Sequence, residues 1–202
     1  TIRTGKQVQD ELGISFMGYF PLVPFKERRK NIRAMSRAAF RFFDLPKIEA
    51  INNPLSVNAE TLRKARALVD RKRGAGVGCV VGVISCIPNE GKTTVAVNLA
   101  LSLAKTGAPC LLVDADVRNP TLVQAHFEEE LYGLGDVLAG DVELDDALIK
   151  EGRTGLSILA SHGKSTELVL EKVNPAVMRE LLSGCARKYQ YIVLDLPPLA
   201  AS

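Results

Sequence analysis

The sequence predicts an α/β fold: a mostly parallel sheet with helices on both faces. Three observations predict it. Short, continuously apolar runs recur between residues 79 and 194 and alternate with segments of helical periodicity, as expected of strands buried on both sides. A Gly91-Lys92-Thr93 triplet stands where the first of these runs passes into a helix. Aspartates stand just beyond the apolar run at 111–113 and beyond the one at 191–194.

The composition sets the outer bounds. A chain of 202 residues with 47% hydrophobic and 24% charged residues is one globular α/β domain, or one domain plus an appendage. A formal net charge of +3 does not indicate a nucleic-acid binder, and none is expected as a partner. Cys79, Cys86, Cys110 and Cys185 form no C-x-x-C pair, so reduced thiols fit better than a disulfide framework. His126 and His162 give no zinc pattern. The longest mostly apolar stretch, Val77 to Ile87, falls short of the ~20 residues that span a bilayer. No secretory signal opens the sequence. It begins without Met and stops just after Pro-Pro-Leu-Ala, which reads as a piece of something longer.

The elements follow in order. Residues 4–12 form a short helix. Ile14 to Phe20 is a short strand candidate, ended by Pro21 and Pro24. Residues 26–43 carry Arg29, Arg33, Arg37 and Arg41 at i,i+4 steps, opposite Ile32, Met35, Ala39 and Phe43. That is a basic amphipathic helix, either packed on its own domain or facing an anionic membrane surface or partner. Residues 44–55 read as a loop.

A helix from Val57 to Arg71, capped by Ser56 or Asn58, precedes the break Arg73-Gly74-Ala75-Gly76. Cys79 to Ser85 is a buried strand. Lys92 to Lys105 is a helix with Ala96, Leu99, Ala100 and Leu103 on its core face, and Gly107 closes it. Cys110 to Val113 is the next strand, followed by a turn or helix from about Pro120. Residues 144–150 are helical, Leu156 to Leu159 is a strand, 175–187 is a helix, and Tyr191 to Leu194 is the last strand.

The chemistry lies between these elements. Ser85-Cys86-Ile87-Pro88-Asn89-Glu90-Gly91-Lys92-Thr93-Thr94 ends as the phosphate-loop pattern G-x-x-x-x-G-K-[ST] does, although the first glycine position holds Cys86. A loop opening a helix aims free N–H groups at one spot, and the helix dipole favours an anion there. Gly91 lets the backbone approach phosphates, Lys92 supplies a mobile positive charge, and the Thr93 hydroxyl suits Mg²⁺. Asp114 and Asp116 lie just past one strand, and Asp195 lies past another. Strands of a parallel sheet end on a common edge, so the three carboxylates converge on the phosphate loop. No G-x-G-x-x-G follows the first strand of the body, which disfavours a dinucleotide oxidoreductase.

Together these residues resemble the bacterial tyrosine kinases, or BY-kinases, of capsule and exopolysaccharide export, members of the partition-ATPase-like P-loop NTPases. The family's G-K-[ST], D-x-D-x-R and D-x-x-P appear as Gly91-Lys92-Thr93, Asp114-Ala115-Asp116-Val117-Arg118 and Asp195-Leu196-Pro197-Pro198. Gly133 to Gly140 is similar to the family's loop–helix segment between the aspartate motifs. Glu60, Arg63 and Arg66 match its E-x-x-R-x-x-R, used there for ring-like self-association. From spacing alone the same three residues make a salt-bridged solvent face. Partition and septum-site ATPases carry a second lysine five positions before the P-loop lysine. Ile87 stands there in this sequence.

The resemblance implies residues 1–54 as a membrane-proximal basic segment and 55–202 as a P-loop kinase domain. It implies ATP and Mg²⁺, with Pro88 to Thr94 and Arg118 around the nucleotide and Thr93, Asp116 and Asp195 around the metal. Lys92, Asp114 and Asp116 are then the catalytic residues, with Asp114 accepting the tyrosine proton. Arg118 either meets phosphate charge or serves a salt bridge. The implied setting is the cytoplasmic face of the bacterial inner membrane. There the partners are the chain's own transmembrane co-polymerase part or a separate membrane activator, further copies in a ring, and protein tyrosines including those of its own tail. Strands after D-x-x-P and a tyrosine-rich tail are also implied, but the sequence stops at Ser202 before either. Two rival functions stay open: a nucleotide-dependent ATPase or switch that regulates polysaccharide export without phosphorylating tyrosine, and a non-enzymatic interaction domain.

Overall fold

A computed structural model describes residues 5–20, 55–74, 78–117, 122, 132–161 and 174–200. The basic amphipathic helix expected at 26–43, the segment from Pro120, Arg118 and both histidines lie outside the described residues.

The described elements run α1 (Gly5–Leu12), α2 (Val57–Lys72), β1 (Cys79–Val83), α3 (Lys92–Ala104), β2 (Cys110–Asp114), α4 (Leu134–Ala139), α5 (Leu144–Ala147), β3 (Ile149–Lys150), β4 (Ser157–Leu159), α6 (Pro175–Lys188) and β5 (Tyr191–Asp195). The helix ends follow local chemistry. Ser56 accepts the Ala59 N–H at 3.1 Å and starts α2. Asn174 accepts from Ala176 N at 2.8 Å and Pro175 takes the first turn of α6. The Asp136 carboxylate accepts the Gly133 N–H at 2.8 Å at the start of α4.

The five strands lie in the order β1-β5-β2-β4-β3. All pairings are parallel except β3 with β4. Every residue of β2 is buried, and its side chains alternate between two cores. Cys110 and Leu112 join α2 and α3 on one face, through Leu62, Leu99 and Leu103. Leu111 and Val113 join Leu134, Ala147 and Cys185, from α4, α5 and α6, on the other. Helix α3 is enclosed by the sheet and α2, so its residues Ala96 to Ala104 are all buried. Full burial of one such leucine or isoleucine contributes about 1.5–3 kcal/mol.

The structure departs from sequence expectation in three places. The strand expected to be buried over Cys79 to Ser85 is β1, Cys79–Val83, which pairs only with β5 among the described strands and leaves Val80 43% exposed on its outer face. Residues 13–20 form no strand. Their far end meets α2 and the core instead: the Thr61 hydroxyl donates to the Tyr19 carbonyl at 2.9 Å, and Phe20 packs on the first core. Nor is 144–150 one helix. It turns extended at Leu148, and Ile149-Lys150 pairs antiparallel with Ile158-Ser157. Among the described residues no helix is long and apolar enough to cross a membrane.

Candidate functional site

The site is laid out by strand register. Val83, Asp195 and Asp114 are aligned across β1, β5 and β2, so three strand ends meet in one row. Backbone bonds continue past the strands. Ala115 N donates to Asp195 O at 2.9 Å, Leu196 N to Val83 O at 3.0 Å, and Leu199 N and Ala200 N to Ser85 O and Cys86 O, each at 2.9 Å. The D-x-x-P segment is thereby laced to the entrance of the phosphate loop.

The loop itself makes two left-handed residues, Asn89 (φ 65°) and Gly91 (φ 92°). Asn is among the few side chains that tolerate this region, and Gly adopts it without a Cβ penalty. Glu90 turns back, its carboxylate accepting from Cys86 N at 2.8 Å and Ile87 N at 3.1 Å. Pro88, Asn89 and Glu90 are exposed, while Gly91, Lys92, Thr93 and Thr94 are half-buried at the head of α3. The Thr94 carbonyl is engaged within the helix by Asn98 Nδ2 at 2.8 Å.

Lys92 reaches inward. Its Nζ lies 2.7 Å from Asp116 Oδ2 and 3.6 Å from Asp195 Oδ1, and donates to Thr93 Oγ1 at 3.4 Å. Asp114, Asp116 and Asp195 are 1%, 2% and 0% exposed. Burial pushes the Asp114 carboxyl up to about 7, and the charges of Asp195 and Asp116 push the same way. The Ser161 hydroxyl and the Asp116 N–H, bound to its two oxygens, oppose the shift. Burial also raises Asp195, against the Thr93 hydroxyl and the Lys92 ammonium.

This donor set fits Mg²⁺. Hard oxygen ligands are what that ion takes, and it is usually held by one or two carboxylates together with substrate phosphates. The Thr93 hydroxyl, Asp116 and Asp195 meet around one point occupied by the Lys92 ammonium. Two buried carboxylates, Asp116 and Asp195, face that single ammonium, an excess of negative charge that a divalent cation relieves. Among the described residues no group of three or more His, Cys, Asp or Glu side chains is placed to hold a metal by itself.

The expected residues thus separate into two groups. Lys92, Thr93, Asp114, Asp116 and Asp195 converge, with Gly91 and the exposed loop beside them. Glu60, Arg63 and Arg66 lie apart on α2. Arg63 Nη2 pairs with Glu60 Oε2 at 2.6 Å in solvent, whereas Arg66 Nη1 donates to the Ser102 carbonyl of α3 at 3.4 Å. Sequence reasoning missed Ser161, which belongs to no motif. Its only sequence signal is a hydroxyl just after an apolar strand.

Residues 84–201 match a family model described as an AAA domain. The chain is similar to the succinoglycan biosynthesis transport protein ExoP of Rhizobium meliloti (strain 1021), at 30% identity over 99% of this chain and 27% of that protein. It is also similar to the tyrosine-protein kinase YwqD of Bacillus subtilis (strain 168), at 34% identity over 75% of this chain and 64% of the kinase. It therefore spans about a quarter of the first relative and just under two thirds of the second. Among solved structures, the kinase domain of Escherichia coli tyrosine kinase ETK shares the fold, with TM-score 0.74 and 23% identity over 98% of this chain and 74% of that one. The septum site-determining protein MinD of Pyrococcus horikoshii OT3, solved with Mg-ADP, gives TM-score 0.50 and 30% identity over 59% of this chain and 49% of that one.

Proposed function

The chain belongs to the AAA domain family, whose model spans its phosphate loop and both aspartate motifs, and from that premise we propose that it is the ATP-dependent tyrosine-kinase part of a bacterial protein controlling exopolysaccharide or capsule export. The observation that carries this is the convergence of Lys92, Asp114, Asp116 and Asp195 on one strand edge at the head of α3. The likeness to YwqD and ExoP supports the kinase and export elements respectively.

In this reading the loop amides and Lys92 bind the β- and γ-phosphates of ATP, with Pro88 to Glu90 and Thr94 framing the pocket. Thr93, Asp116 and Asp195 hold Mg²⁺ directly or through water. When bound, Mg²⁺ neutralises phosphate charge. Asp114 accepts the proton of the tyrosine hydroxyl, whose ordinary pKa of about 10 keeps it protonated at neutral pH. The phenol oxygen then bonds to the γ-phosphorus, the bond to the β,γ-bridging oxygen breaks, and ADP leaves with the electron pair. Positioning and charge neutralisation supply most of the rate gain.

The same reading places the chain at the cytoplasmic face of the inner membrane, working with a membrane co-polymerase part or activator. It also makes the chain a homo-oligomer through Glu60, Arg63 and Arg66, with its own tail among the acceptor tyrosines. The deciding experiment incubates the full-length protein with ATP·Mg²⁺ and maps phosphotyrosine by mass spectrometry, with Lys92→Ala as the control. Phosphotyrosine that depends on Lys92 supports the kinase. ATP hydrolysis without phosphotyrosine assigns the site to an ATPase or switch, and no ATP binding leaves an interaction domain.

A further inference from the structure

Ser161 follows β4 at the sheet edge that carries the carboxylates. It is 1% exposed, and its Oγ donates to Asp114 Oδ2 at 2.9 Å, joining residues 47 positions apart. A hydroxyl taken out of water needs a partner, and this one finds a carboxylate on the neighbouring strand. Val113 pairs with Leu159, so Ser161 lies one position beyond the level of Asp114 on the neighbouring chain segment, within reach of its carboxylate.

The other oxygen of Asp114 accepts the Asp116 N–H at 3.2 Å. Lys92, the cation of the site, is engaged with Asp116 and Asp195. Among the described residues Ser161 is therefore the side chain that donates to Asp114. Without that bond the carboxylate is tied through one backbone N–H and is free to turn about its broad terminal torsion.

We propose that Ser161 is a positioning residue for phosphoryl transfer, holding the Asp114 carboxylate in the orientation that receives the acceptor hydroxyl. This rests on the kinase reading above. Ser161 itself touches neither nucleotide nor acceptor. It fixes the group that takes the proton, and misplacing a reacting group by about 1 Å costs up to about a hundredfold in rate.

The test uses the full-length protein and three measurements: the rate of phosphotyrosine formation at saturating ATP·Mg²⁺, the Kd for ADP·Mg²⁺ by calorimetry, and the melting temperature. Ser161→Ala should lower kcat about tenfold while changing Kd less than about twofold. Ser161→Thr, which keeps a hydroxyl, should recover most of the loss. In an Asp114→Asn background, Ser161→Ala should cost nothing more, because the group it positions no longer accepts a proton. A wild-type kcat in Ser161→Ala overturns the inference. So does an equal loss of kcat and ADP affinity that Thr does not repair, since that is the signature of a structural residue. A wild type that binds nucleotide yet makes no phosphotyrosine instead overturns the kinase reading itself.

Discussion

Lys92 and Asp116 form a buried ion pair, 2.7 Å between Nζ and Oδ2, at the point where phosphate loop and D-x-D motif meet. In the kinase reading, the lysine that meets phosphate is here held by a carboxylate that meets the metal. On that reading, nucleotide together with Mg²⁺ should satisfy both groups, whereas nucleotide alone should compete with Asp116 for the lysine.

Asp116→Asn should therefore separate the two binding modes. It removes a charge facing the metal while keeping the shape, so ADP affinity in Mg²⁺ should fall by about tenfold, the loss of one charged contact. In EDTA the affinity should not fall, because Lys92 is released from its stronger partner. Asp195→Asn should act in the same direction. Equal losses with and without Mg²⁺ would show that these carboxylates do not meet the metal.

Lys92→Met keeps an apolar stem and removes the ammonium. Hydrogen bonds to charged groups contribute about 1.5–3 kcal/mol, so ADP·Mg²⁺ binding should weaken about tenfold to a hundredfold. Calorimetry on a variant with native circular dichroism checks this. Unchanged affinity rejects the phosphate-loop assignment.

The cysteines offer a chemical footprint of the site. Cys86 is exposed at the loop entrance, whereas Cys110 is buried and its thiol is pushed up to about 12 by loss of water. At pH 8 the Cys110 thiolate fraction is then about one in ten thousand. Iodoacetamide should alkylate Cys86 in the native protein and spare Cys110, and ATP·Mg²⁺ should slow the Cys86 reaction. The raised thiol also has a sign for stability. Its contribution is complete below the ordinary thiol pKa and is lost as pH climbs towards 12, so denaturant midpoints should fall on that alkaline side. Mass spectrometry that finds Cys110 alkylated as fast as Cys86 would contradict the buried placement of β2.

Arg63 and Arg66 test assembly. The Glu60–Arg63 pair is exposed, and pairs of that kind contribute little to folding. Charges paired across a subunit boundary matter more. Arg63→Ala with Arg66→Ala in the full-length protein should shift a large oligomer towards monomer in light scattering. Its melting temperature, measured where both proteins are monomeric, should move by only a few degrees at most, about 2–4 °C. A double mutant that assembles as wild type does returns this face to solvent, with Arg66 serving its bond to Ser102.

The parts of the site that sequence reveals are those with a local signature. Leu111 to Val113 reads as a buried strand because it is apolar without interruption. The shared strand edge then follows from topology, and Asp114 beside Asp195 in register is what that rule requires. Ile149-Lys150 was illegible because two residues form a strand only when β4 offers them a partner. Ile14 to Phe20 shows the reverse: strand-like composition with no strand partner among the described residues. Ser161 escaped for the same reason as β3, since its meaning lies in a contact 47 positions away. The inward turn of Lys92 escaped because the motif defines its role with phosphate bound.

The order β1-β5-β2 also governs how the site is held together. The phosphate loop leaves β1 and the D-x-D pair leaves β2, yet these strands do not pair; β5, which follows both in sequence, lies between them. In the folded sheet Tyr191 to Asp195 fills that gap and is bonded on both sides. A chain in which β5 is not inserted lacks both the bridge between the two motifs and the Asp195 carboxylate at the site. The integrity of the site is therefore tied to β5, the strand that joins its two halves.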